Sequence, residues 1–116
     1  MITLDEFRKL ALTFPETTEE PHFEKTSFRV QKKIFATYDA KKHRACIKLA
    51  LTDQDVFVMA DKQHIYAVDN AWGKQGWTLI ELSDVKKVLF AEALTSAYVH
   101  VAPKKLSMLV NRNSHT

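Results

Sequence analysis

The chain has 116 residues, 46% of them hydrophobic, a net charge of +3 and one cysteine. That length suits one self-sufficient core and is too short for two ordinary domains, and the apolar runs break well before the roughly 18 residues that span a bilayer. A lone cysteine forms no internal disulfide and no secretory segment opens the chain, so a cytoplasmic, monomeric protein without membrane attachment is expected.

Thr3 followed by Glu6 is a capping box, and Leu4, Phe7, Leu10, Ala11 and Phe14 recur at helical spacing, which predicts a helix from about Leu4 to Thr13 that Pro15 ends. Glu16 to Lys25 is polar, contains Pro21 and reads as an acidic connecting loop. From Thr26 the period becomes two. Phe28 and Val30 flank Arg29, then Ile34, Ala36 and Tyr38 alternate with Phe35 and Thr37, with Gln31-Lys32-Lys33 as the turn between these two strands. In a third strand Ala45, Ile47 and Leu49 face one way and Arg44, Cys46 and Lys48 the other.

Thr52 reads as the N-cap of a short helix to about Ala60, with Val56, Phe57 and Ala60 on its packing side. Ile65 to Val68 is a strand. Residues 69–76 form a loop that holds both glycines, and Trp77 to Leu82 is a final strand anchored in the core by Trp77. Ser83 caps a long helix whose stripe runs through Val85, Val88, Leu89, Ala93, Leu94, Ala97, Tyr98 and Val101 until Pro103 stops it. The order α-β-β-β-α-β-β-α predicts an α+β fold, a mostly antiparallel sheet with the terminal helices on one face. Residues 1–106 make a single domain, and 107–116 a tail prone to fraying.

Residues 25–48 carry eight lysines and arginines against Asp39 alone, whereas residues 1–24 carry two basic side chains against six acidic ones. The basic meander is therefore the leading candidate site. Arg29, Arg44 and Lys48 fall on the open sheet face, Lys32, Lys33, Lys41 and Lys42 project from turns, and Phe35 or Tyr38 offers a ring for stacking. Trp72 and Lys74 on the glycine-bearing loop add an aromatic and a cation, and Lys104 and Lys105 follow the last helix. Each has a plain structural alternative, since lysines protect sheet edges and cations suit helix C-termini.

Other chemistry has little support. His22, His43, His64, His100 and His115 show no ligand spacing, so neither metal nor cofactor is expected. Glu16, Glu19, Glu20 and Glu24 bear comparison with the acidic ridge by which frataxin-like proteins bind iron, but that ridge is built largely on a helix and these residues fall mainly in the expected loop. Cys46, flanked by Arg44 and Lys48, is the sole thiol and has no identifiable base, so ordinary packing outweighs nucleophilic catalysis and no enzyme is indicated.

Three segments, Phe28-Arg29-Val30-Gln31-Lys32-Lys33-Ile34-Phe35-Ala36, Trp72-Gly73-Lys74-Gln75-Gly76-Trp77 and Ala102-Pro103-Lys104-Lys105-Leu106, resemble in order and spacing the MmcQ/YjbR family of small bacterial proteins. The resemblance implies a frataxin/CyaY-like, double-wing architecture and DNA binding. With the basic meander, it leads to the expectation of weak, non-specific binding of DNA phosphates through Arg29, Lys32, Lys33, Lys41, Lys42, Arg44 and Lys48, supported by Trp72, Lys74, Lys104 and Lys105. The rival expectation is a protein- or small-molecule-binding module that uses the sheet face or the cleft beside Trp72. A concave, mostly apolar surface with exposed aromatics favours the rival, and a convex lysine-rich one favours nucleic acid.

Overall fold

The computed structural model describes residues 1–110. Its elements are α1 (Leu4–Ala11), β1 (Thr17–His22), β2 (Lys25–Val30), β3 (Lys33–Asp39), β4 (Arg44–Lys48), α2 (Leu51–Ala60), β5 (Ile65–Ala67), α3 (Ala71–Lys74), β6 (Trp77–Glu81), α4 (Lys87–Val101) and α5 (Lys104–Ser107). The strands make one antiparallel sheet in the order β1-β2-β3-β4-β6-β5. The predicted α+β arrangement is present, with β1 and two short helices added to it.

Short-range chemistry sets the joints. The Thr3 hydroxyl accepts from Glu6 N at 3.1 Å and the Glu6 carboxylate accepts from Thr3 N at 3.1 Å, so the expected capping box opens α1. Gln31 and Lys32, with φ of 48° and 72°, both take the left-handed conformation that a two-residue hairpin needs to match strand twist. At the β3–β4 turn the Asp39 carboxylate accepts from Lys41 N and Lys42 N at 3.0 and 3.2 Å, which replaces backbone partners the turn cannot supply.

One face of the sheet carries the core. Phe7 of α1 stacks on Phe28 at 5.0 Å between ring centroids and meets Phe90 of α4 at 5.1 Å. Further along, Tyr98 stacks on Phe14 at 4.9 Å, meets Phe35 edge-on at 5.4 Å and donates its hydroxyl to Pro15 O at 2.6 Å. Ala36, Ala45, Ile47, Ile65 and Ile80 complete the buried layer beneath α1 and α4.

Several local expectations need correction. The acidic segment 16–25 is mostly strand, because Thr17 to His22 pairs with β2 as the outermost strand, where Pro21 lacks only a donor that an edge can spare. The N-cap of α2 is Ala50 and that of α4 is Lys86, so Thr52 lies within its helix and Ser83 in a preceding turn. The shifted start of α4 turns Val88 to solvent and buries Phe90, while Val56 of α2 is exposed and the buried residue there is Gln54. Phe35 and Tyr38 lie in the core, so neither ring is open for stacking. The 107–116 tail is described only to residue 110; α5 extends to Ser107, and the remainder lies outside the described residues.

Candidate ligand cleft on the open sheet face

Alternation sends every second side chain to the face that α1 and α4 leave uncovered. The register aligns Ser27, Thr37, Cys46, Leu79 and Tyr66 in one row across five strands, with Lys48 opposite Trp77 toward one end and Asp39, Arg44 and Glu81 adjacent toward the other. The surface is concave. A cleft of about 480 Å³ has Ile34, Thr37, Cys46 and Leu79 in its floor, Val68, Trp72 and Trp77 along one wall, and His22, Lys25, Asp39 and Arg44 at its polar end. That volume is within the range of small-molecule sites, roughly 300–1,000 Å³.

The wall is held by close backbone approaches. A Cβ on Gly73 would lie 1.9 Å from Val68 O, and one on Gly76, whose φ is 104°, would lie 2.0 Å from Leu49 O. Both positions therefore need glycine. Gln54 reaches in from α2, its amide nitrogen 3.0 Å from Gly73 O, 3.0 Å from Thr78 Oγ1 and 3.3 Å from Trp77 O. Asn70 caps α3 by accepting from Trp72 N at 2.8 Å. The segment thus presents Trp72 with 58% of its surface exposed. Trp77, expected in the core, is instead half-buried on the open face, with the Lys48 ammonium 5.4 Å from its ring centroid.

The predicted basic residues are only partly brought together. Arg29, Arg44 and Lys48 lie on the open face as expected. The Arg29 guanidinium binds Ser27 Oγ at 2.9 Å and Pro21 O at 3.2 Å, tying β2 to β1. Arg44 Nη1 lies 3.7 Å from Glu81 Oε2 and 3.3 Å from the Tyr66 hydroxyl, which itself donates to Glu81. Hydrogen bonding to that carboxylate, the larger cause, together with burial raises the Tyr66 pKa. Lys41 pairs with Glu24 at 3.2 Å. Lys32 and Lys33 lie at the opposite end of β3 from Lys41 and Lys42, roughly 20 Å away at strand rise. Lys74 is exposed at the end of α3, and Lys104 and Lys105 belong to α5, which packs on α4 in the helical layer.

Sequence reasoning missed the roles of His22, Lys25, Ile34 and Leu79 in the cleft and of Gln54 behind it. Lys25 was legible in principle, since extending the β2 alternation back from Arg29 through Ser27 reaches it. Burial pushes the Cys46 thiol up to about 11, against the fields of Lys25 and Arg44, so the sulfur is protonated near neutral pH. Among the described residues no group of three or more His, Cys, Asp or Glu side chains could hold a metal ion, and no helix is long and apolar enough to cross a membrane. Glu19 turns to the helical side, where it binds Arg8 at 2.7 Å, while Glu20 lies across from Ser27, so the acidic segment does not gather on one face.

Fold and cleft together define a small α+β domain with one sheet face covered by helices and the other hollowed and open. Residues 12–100 match the model of the YjbR family, and the chain belongs to that family. Its fold is similar to the crystal structure of Deinococcus radiodurans protein DR2400, described by a DUF419 domain, with a TM-score of 0.76 and 24% identity over 87% of this chain and 79% of that one. No curated protein matches.

Proposed function

We propose that this YjbR protein is a non-catalytic binding module whose ligand site is the concave outer face of the sheet beneath Trp72. The observation that carries the reading is an apolar floor and an exposed tryptophan around a cleft of about 480 Å³, on a wall that glycine packing and Gln54 hold in shape. A preformed site of this kind spends little free energy on ordering itself when a ligand enters. The protonated Cys46 thiol supports a binding role over a nucleophilic one.

DNA binding is the second reading, favoured by Lys25, Arg29, Arg44 and Lys48 on the same face, where a single strand could lay its phosphates while a base stacks on Trp72. The ion pairs at Arg44 and Lys41 and the separation of the lysine turns weigh against a broad phosphate track. In either reading the protein acts as a cytoplasmic monomer.

Trp72 and Trp77 are the two tryptophans of the chain, so intrinsic emission reports on the cleft directly. Titration with a set of small aromatic compounds is expected to perturb that emission saturably, and Trp72→Ala should weaken binding by about tenfold or more, the scale of one stacked ring. Binding indifferent to Trp72→Ala would move the site elsewhere. A short single-stranded oligonucleotide that binds with a steep salt dependence, abolished by Lys25→Glu with Arg29→Glu, would establish the second reading instead.

A further inference from the structure

We infer that the cleft selects an elongated anionic ligand, an aromatic body carrying an acidic group, with the ring against Trp72 and the acid between Lys25 and Arg44. This rests on the binding-module reading and names the class of ligand for that site. The cleft is polarised along the strands. Trp77 opposes Lys48 at one end and Arg44 opposes Glu81 at the other, four residues away on β4, or roughly 13 Å at strand rise. Cys46, Thr37 and Leu79 separate the two ends with a floor that offers little charge.

At the charged end one oxygen of each carboxylate is already engaged. Asp39 Oδ1 accepts from two turn amides, and Glu81 Oε2 is shared by the Tyr66 hydroxyl and Arg44. The cations keep donors free. Arg44 makes both of these contacts through Nη1, and among the described residues its Nε and Nη2 bond to nothing, while the Lys25 ammonium forms no ion pair. The fields of Lys25 and Arg44 both reach the Cys46 sulfur, which lies in the floor two residues along β4 from Arg44. An acid placed there meets one open edge of a guanidinium and an unpaired ammonium, the geometry that charge-assisted hydrogen bonds require. At the other end Lys48 already lies over the Trp77 ring, which leaves Trp72 as the aromatic surface open to the ligand.

The test uses the full chain and two probes of one shape, anilinonaphthalenesulfonate and its uncharged parent phenylnaphthylamine, read by probe emission and by energy transfer from the two tryptophans. The sulfonate is expected to bind about tenfold more tightly than the neutral compound. Lys25→Gln, at an exposed residue without an ion-pair partner, should remove much of that preference, read as the ratio of the two probes' affinities; Arg44→Gln should do the same if it folds. Equal affinities in the parent, or a preference untouched by Lys25→Gln, would overturn the anionic class while the binding module stands. Failure of both probes to bind, or binding indifferent to Trp72→Ala, would overturn both.

Discussion

Replacing Gln54 by leucine tests whether the cleft wall is held from behind. Gln54 is 7% exposed, and two N–H groups of its amide serve the three acceptors Gly73 O, Thr78 Oγ1 and Trp77 O. Leucine is close in size and apolar, so the change removes the equivalent of two hydrogen bonds and leaves no large cavity. Gly73 O keeps its bond from Gly76 N and Trp77 O its bond from Val68 N, so neither carbonyl is stranded, and Thr78 still donates to Gly76 O. At about 1 kcal/mol per lost bond the net destabilisation is about 2 kcal/mol. For a chain of this length that corresponds to a fall in Tm of roughly 8 °C and a lower urea midpoint at unchanged slope. Gln54→Glu is the complementary perturbation. A carboxylate facing three oxygens is repelled, and only its protonated form donates, so the folded state raises its pKa above the ordinary value near ~4.3. Stability of that variant is then greatest below the unfolded pKa and falls as pH rises through the folded one. A leucine variant within about 0.5 kcal/mol of the parent would refute the lock, since that is the range of a neutral surface change.

Gly76→Ala should be worse than the Gln54 change, costing about 3 kcal/mol or more in urea unfolding, because the methyl meets Leu49 O at 2.0 Å and φ is 104°; a loss under ~1 kcal/mol would show that the backbone relaxes easily. Glu6 is held down to about 2, first by the Lys87 ammonium and then by the Thr3 amide. A depressed carboxylate contributes above its ordinary value of 4.5, and the contribution fades as pH falls from there toward 2, so an NMR titration should show Glu6 titrating late and Lys87→Ala returning it upward. Cys46 should alkylate slowly near neutral pH, because burial pushes its thiol up to about 11, and mass spectrometry should show the rate climbing with pH; rapid modification at pH ~7 would contradict the buried thiol.

The parts of the fold that were legible in the sequence are those where local chemistry and tertiary burial agree. The Thr3 capping box and the strict alternation of β4 are of that kind, and both appear where the spacing placed them. β1 was not legible, because an edge strand with one exposed face can be built from Thr17-Thr18-Glu19-Glu20-Pro21-His22 with almost no apolar residues to mark it. Trp77 failed for a different reason. Alternation says which residues share a face but not which face is covered, and Trp77 shares its face with Leu79 and Lys48 rather than with Ile80. The cleft is a property of several strands in register, so Lys25, Ile34, Thr37 and Leu79 come together only through pairings among residues far apart in sequence.

An uncovered sheet face in a small protein is expected to be polar, because the alternation of an antiparallel sheet lets one side be core and the other solvent. This face departs from that pattern in its middle. Ile34, Leu79, Val68 and Trp77 stand where charged or hydroxylated side chains would serve solubility, and Trp72 is held out over them. Keeping a large indole mostly in water forgoes a burial free energy of about 1.5–3 kcal/mol, and fixing the loop that carries it requires two glycines and a buried amide. A loop whose only purpose was to join β5 to β6 would gain nothing from that arrangement, and a polar side chain at position 72 would remove the cost. The arrangement is favourable once the indole and the apolar floor share an occupant, since both surfaces then leave water together and the wall is already in place.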